Sequence, residues 1–291
     1  MATDGILFLG VDGGGTGCRV RLVDAAGTVL GEGKAGAANI RLGLDVSWGQ
    51  ILQATDQALG QAGLDRAALA RTRVGLGLAG ITGPADSARV AAAAPPFAGI
   101  AAETDAHTAC LGAFGGRDGA ILILGTGSAG YAIVEGASHP IGGWGFEISD
   151  DGSGAQLGRE AVRAAVRAYD GLGAASEFTL AIMARLGGHP PDVVAWVNGA
   201  KPGDYGGITP LIIDFARRGD PVAVELVGQA VRHVENFVRR LIALGAGRVA
   251  LMGGLGPVLE EWLDPSMREM LAAAQGDAMD GAVLLARRRI S

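Results

Sequence analysis

Residues 8–31 read FLGVDGGGTGCRVRLVDAAGTVLG, and the segment Asp12-Gly13-Gly14-Gly15-Thr16 inside it decides how the chain is read. On either side lie runs with strand character, residues 6–11 (ILFLGV) and 18–23 (CRVRLV), the second alternating Val20 and Leu22 with Arg19 and Arg21. Three successive glycines cost backbone entropy and pack nothing, so a turn built from them calls for something that must approach the backbone closely. Convergent backbone N–H groups suit an anion. An acid beside a phosphate-binding turn repels the phosphate unless a divalent cation lies between, which makes Asp12 a candidate Mg²⁺ ligand. The alternative is an ordinary tight hairpin, for which a single Asx-Gly would suffice.

Working outward, a third strand over 28–33 completes a meander, and a helix is expected over 45–63, with Asp45 or Ser47 as its cap and Gly63 as its stop. Strand 73–80, helix 84–94, a strand at 100–105 and helix 107–114 follow, an alternation that predicts an α/β layered fold. Residues 120–135 (AILILGTGSAGYAIVE) then repeat the device of strand, glycine turn and strand. Two related α/β domains are therefore expected, over 1–115 and 116–277, with the C-terminal helix 278–291 returning to the first. In the second half, Ser153-Gly-Ala-Gln156 matches a capping box opening a helix to about 168. Helices are also expected over 175–187, over 220–244 behind Asp220-Pro221, and over 257–275, with a strand at 248–253 ending in Gly253-Gly254-Leu255-Gly256.

The chain is 291 residues long, 49% hydrophobic and 19% charged, as in a folded globular protein. Its net charge of −6 argues against a nucleic-acid partner. Arg248 interrupts the longest apolar stretch, so no membrane span is expected, and the N-terminus lacks the basic start of a secretory signal; the cytoplasm is the expected compartment. Cys18 and Cys110 lie apart with no metal-like spacing and read as small core residues. Two stretches match G-x-G-x-x-G, Gly75 to Gly80 and Gly125 to Gly130, but the first is followed too late by a helix and the second by a strand, so neither is a dinucleotide fingerprint.

Five motifs in order carry a family resemblance: VDGGGT at 11–16, ETDAHTA at 103–109, LGTGS at 124–128, GGWGFEISDDGSG at 142–154 and GGLG at 253–256. The chain resembles the sugar kinase, Hsp70 and actin superfamily, and within it the BadF/BadG/BcrA/BcrD-type ATPases, in the branch of N-acetylglucosamine kinase and glucosamine kinase. The resemblance implies two ribonuclease-H-like (actin-like ATPase) domains flanking a nucleotide cleft, ATP and Mg²⁺ as cofactors, and transfer of the γ-phosphoryl to the 6-hydroxyl of N-acetylglucosamine or glucosamine. Asp105 takes the position of the catalytic base, though a strand-to-helix Asp is also a plain N-cap.

Asn39 is implied in sugar binding, against an Asx-turn alternative. Gly127, Ser128, Glu147 and Asp150 are likewise implied to meet the sugar, although acids before a helix also favour its dipole. Gly13, Gly14, Gly15, Thr16 and Thr126 would face the phosphates. Gly253, Gly254 and Gly256 would let the adenosine lie on the backbone, unless they are only a strand-to-helix turn. A homodimer is the expected assembly. A redox activator of the same family would need cluster-binding cysteines that Cys18 and Cys110 do not supply. The rival readings are an ATPase acting on a partner protein and a non-catalytic sensor.

Overall fold

The computed structural model describes residues 5–93 and 95–288; the expected helix end at residue 94 and the tail 289–291 lie outside them. By packing, the chain divides into two compact units. One comprises the chain up to Gly119, Ile133–Ser138 and the chain from Ala273 onward; the other comprises Ala120–Ala132 and His139–Ala272.

The first unit is built on β1 (Leu7–Gly13), β2 (Cys18–Val23), β3 (Val29–Ala35), α1 (Leu44–Gln61), β4 (Thr72–Leu78), α2 (Pro84–Ala92), β5 (Gly99–Glu103) and α3 (Asp105–Ala113). Its sheet has the order β3-β2-β1-β4-β5, antiparallel within the meander and parallel from β1 through β4 to β5. Strands β6 (Gly119–Leu124), β7 (Ser128–Val134) and β8 (Ala137–Gly142) follow, then α4 (Gly154–Tyr169), α5 (Glu177–Arg185), α6 (Pro190–Gly199), α7 (Pro202–Gly206), α8 (Thr209–Arg217), α9 (Pro221–Ala243), β9 (Val249–Met252), α10 (Gly256–Glu260), α11 (Pro265–Arg268) and α12 (Ala278–Arg288). The second sheet, β8-β7-β6-β9 with β6 parallel to β9, repeats the first without its fifth strand. This is the two-unit α/β architecture that the repeated glycine turn predicts.

The faces of the first sheet follow from strand alternation. Leu7, Leu9 and Val11 of β1 and Val74, Leu76 and Leu78 of β4 join Ile51, Ala54 and Ala58 of α1 in one buried cluster. The other face is nearly bare: Gly10, Gly75 and Gly77 lie there beside Phe8, which packs on Val283 and Ala286 of α12. A Cβ on Gly75 would stand 1.9 Å from the Ala282 carbonyl oxygen, and one on Gly77 would stand 1.9 Å from Thr108 Oγ1. These glycines, part of one G-x-G-x-x-G match, are the floor on which α12 and α3 rest. Asp12 shares this parity.

Several local expectations are corrected. Strand β1 extends through Asp12 and Gly13, so the turn proper is 14–17. Helix α1 is preceded by Gly43 with no side-chain cap; the Ser47 hydroxyl instead donates to the Asn39 and Gly43 carbonyls. Helix α3 starts at Asp105, with Thr104 as N-cap accepting from His107 N–H. Only half of the capping box at α4 forms: Ser153 Oγ accepts from Gln156 N–H, while Gln156 Oε1 takes the N–H of Gly152. The single helix expected over 257–275 is α10 and α11, separated because Asp264 caps a new helix at Pro265. Asp220 caps α9 as its sequence predicts, accepting from Val222 and Ala223 N–H. Among the described residues no helix is long and apolar enough to cross a membrane.

Replacing Gly75 by Ala should cost about 1–3 kcal/mol or more, since its Cβ meets backbone that cannot yield. Replacing Gly49, exposed within α1 and with open space where its Cβ would stand, should instead add about 0.5–1 kcal/mol. Urea unfolding of the whole chain compares the two.

Candidate functional site

The first unit gathers four of the expected groups. The Gly13 carbonyl accepts from Ala79 N–H at 2.8 Å and the Gly14 carbonyl from Ala38 N–H at 3.1 Å, and Ile40 N–H donates to Ala79. The glycine turn, the Asn39 segment and the loop after β4 are thus tied together. Gly15 has nothing within 4 Å of the place a Cβ would take, and Gly14 only the Gly17 carbonyl at 3.6 Å, so this backbone is bare and approachable. Gly15 and Thr16 are exposed.

Asn39 does form the Asx-type turn, its Oδ1 accepting from Arg41 N–H at 2.9 Å. Gly80, at φ +90°, leaves room for the side chain, since a Cβ there would lie 2.4 Å from Oδ1. Its amide NH₂ is the donor it can offer a ligand.

Asp105 is the first residue of α3, so the N-cap alternative falls: Thr104 does that work. In the register of the sheet Asp12 stands beside Gly77, and Gly77 beside Glu103 at the end of β5. Because Gly77 lacks a side chain, Thr108 settles directly on β4 and brings the first turn of α3 close to Asp12. Burial pushes the Asp105 pKa up, the Asp12 charge adds to that, and a hydrogen bond from Ala106 N–H to Oδ1 (2.8 Å) works against it. Asp12 itself is paired across the strands with Arg19.

The second unit repeats the device. Its turn is closed by Gly125 N–H to the Gly127 carbonyl at 3.0 Å and strapped to the start of α4, with Gly154 N–H on the Gly125 carbonyl and Ala155 N–H on the Thr126 carbonyl. Ser128 is buried, and its hydroxyl donates to the Asp151 carbonyl at 2.7 Å. Asp150 adopts φ +63°, which short polar residues tolerate better than others. Its carboxylate lies over Gly127, 2.8 Å from where a Cβ would stand. Burial raises the Asp150 pKa, N–H bonds from Ser128 and Gly145 oppose this, and Asp151 adds to it. Glu147 is exposed in the same loop.

A cavity of about 470 Å³ opens beside this turn, lined by Gly125, Thr126 and Gly254 and walled by Ile213, Leu255 and Val258. That volume and those apolar walls suit a drug-sized ligand with a flat apolar part. Gly253, at φ +83° with its Cβ position against the Leu124 carbonyl, is required by the fold. Gly254 faces open space, so its bareness serves the cavity. Gly256 is buried in the first turn of α10. The wall from α8, including Arg217 gripped by Glu261 at 2.8 and 3.1 Å, carries no sequence motif and was not anticipated. Its one signal was Pro210, a helix-opening residue at the start of an apolar run.

The matching family model spans residues 9–286 and is that of the BadF/BadG/BcrA/BcrD ATPases. The chain belongs to this family. It is 38% identical over 279 residues to glucosamine kinase GspK of Vibrio cholerae, covering 96% of this chain and 95% of the relative. A solved structure of a proposed N-acetylglucosamine kinase of Chromobacterium violaceum is 38% identical, with a TM-score of 0.85 over 98% of this chain and all of the other. A ROK-family glucokinase of Streptomyces griseus, solved with glucose and AMPPNP, shares the fold at 20% identity, with a TM-score of 0.56 over 97% of this chain and 98% of that one. Cys18 and Cys110 are both buried, their thiols pushed up to about 12 chiefly by burial, which suits core residues and not exposed cluster ligands.

The raised Asp105 pKa has a consequence for stability. The folded protein holds this proton more tightly than the unfolded chain, so the cost of the buried charge is absent at low pH and grows as pH rises through the folded pKa. Asp105→Asn should therefore melt higher than wild type at pH 7.5 and lose that advantage towards pH 4. A melting temperature below wild type at pH 7.5 would contradict the buried-charge reading.

Proposed function

We propose that the chain is an ATP-dependent kinase of an amino sugar, glucosamine or N-acetylglucosamine, acting at the 6-hydroxyl. The observation that carries this reading is Asp105, a carboxylate kept largely from water and close enough to Asp12 to feel its charge. A phosphoryl transition state is loose, so the protein has mainly to position groups, balance charge and receive one proton. Asp105 is the acceptor for the hydroxyl proton, and its raised pKa brings it nearer to the task than an ordinary aspartate.

Asn39, through its amide NH₂, together with Glu147 and Asp150, through carboxylates that each accept from two hydroxyls, would orient the sugar, with Gly127 and Ser128 shaping its border. Gly13 to Thr16 and Thr126 present backbone and hydroxyl donors to the phosphates. The cavity beside Gly254 would take the adenosine, its flat base against Ile213, Leu255 and Val258. The part-exposed Asp12 carboxylate beside the bare glycine turn suits Mg²⁺ of the kind held by one carboxylate and the substrate phosphates. Asp12 would hold that ion, which when bound supplies charge neutralisation to the phosphates. The near full-length likeness to a glucosamine kinase supports the substrate class, and the burial of Cys18 and Cys110 speaks against a redox activator.

Two variants test the reading. Asp105→Asn should bind ATP with near wild-type affinity and lose at least about a hundredfold in kcat, the scale of removing a general base; turnover within a few-fold of wild type would remove Asp105 from that role. Gly254→Val places carbon where the cavity is open and should raise the ATP Kd about tenfold or more at an unchanged melting temperature. Calorimetric titration with ATP reads the second directly.

A further inference from the structure

Strand β2 carries two arginines on one face with contrasting surroundings. Arg21, with only 17% of its side chain exposed, is enclosed by Glu32, Asp277 and Asp280 and fastens the start of α12 to the meander. Among the described residues Arg19 pairs with one carboxylate, that of Asp12, its register partner on β1. Its Nη2 and Nε both donate to the same oxygen, Oδ2, at 2.5 and 3.2 Å. The Arg19 side chain is 47% exposed and that of Asp12 21%, so the pair lies at the rim of the bare glycine turn. The other charges acting here are Asp105, which feels Asp12, and Asp277 and Arg21, which act on Arg19 with opposite sign.

We propose that Arg19 is the resident counter-cation of Asp12, a positioning residue that competes with the nucleotide's divalent metal for this carboxylate and thereby sets how much metal the site requires. The proposal rests on the kinase reading above. Two carboxylates, Asp12 and Asp105, stand where a phosphate chain would approach, and like charge there disfavours an anion. Without metal, Arg19 offsets the Asp12 charge and leaves the glycine turn passable to phosphate. With metal, the same guanidinium occupies one carboxylate oxygen and must yield or share it, since an exposed arginine pair is weak enough to be displaced. Removing Arg19 therefore has two effects of opposite sign: metal-free nucleotide binds more weakly, and less metal is needed to restore binding. Loss of local structure would move both in the unfavourable direction.

The test is ADP binding to the full chain by calorimetry, in EDTA and along a Mg²⁺ titration, for wild type, Arg19→Met and Arg19→Lys. In Arg19→Met the EDTA Kd should rise by about three- to tenfold, while the Mg²⁺ concentration giving half of the enhancement falls by a similar factor, the scale of one exposed to half-buried ion pair. Arg19→Lys, which keeps the charge but loses the two-pronged donor, should fall between. In the double variant Asp12→Asn/Arg19→Met, the Mg²⁺ enhancement should be lost. Both quantities unchanged, or both shifted unfavourably, would overturn the assignment. A wild-type chain that binds ADP neither with nor without Mg²⁺ would overturn the nucleotide reading itself, and this assignment with it.

Discussion

The close approach of two helices to a sheet face where glycines replace side chains is the constraint on which the first unit depends. Gly10 and Gly75 let α12 lie against the strands, and Gly77 lets Thr108 do the same for α3. A packed interior does not absorb an extra methyl group without displacement, so Gly77 lets α3 sit directly on the sheet. That placement decides where Asp105 stands relative to Asp12. The chemistry of the site is in this sense set by the absence of side chains beneath it.

The same economy shapes the second unit. There a glycine turn between β6 and β7 is strapped to the first turn of α4 by backbone hydrogen bonds, and the Asp150 carboxylate rests on Gly127. Each unit therefore carries a carboxylate whose pKa burial raises, Asp105 beside Asp12 in the first and Asp150 over Gly127 in the second. Holding charge out of water is unfavourable, and structures keep such groups where function requires them. Asp105 is the stronger case, because it is the more deeply buried of the two.

Much of this was legible in the residues. Three glycines after an acid announce a backbone that something must approach, and the repeat of that pattern a hundred residues later announces a second unit; the two sheets share their order because of it. Asp220-Pro221 predicts α9 for the same local reasons that form it. What stayed hidden depends on contacts distant in sequence. Helices α6, α7 and α8 each open with proline in the first turn, but their apolar faces are short and no periodic run advertises them. The cavity wall made by Ile213 could therefore not be placed. Gly75 and Gly77 matched a nucleotide fingerprint by letter, whereas their reason is the carbonyl and hydroxyl packed above them. At Asp105 an N-cap and a base look alike in sequence; the Thr104 cap removes the first of these.

The central claim is that this site moves phosphoryl from ATP to an amino sugar. A coupled assay of ADP release from Mg-ATP, run in parallel with glucosamine, N-acetylglucosamine, glucose and N-acetylmannosamine, tests it most directly. The account predicts release that depends on glucosamine or N-acetylglucosamine and falls to background without sugar. Release at the same rate whatever sugar is present, or no release with any of them, would contradict it.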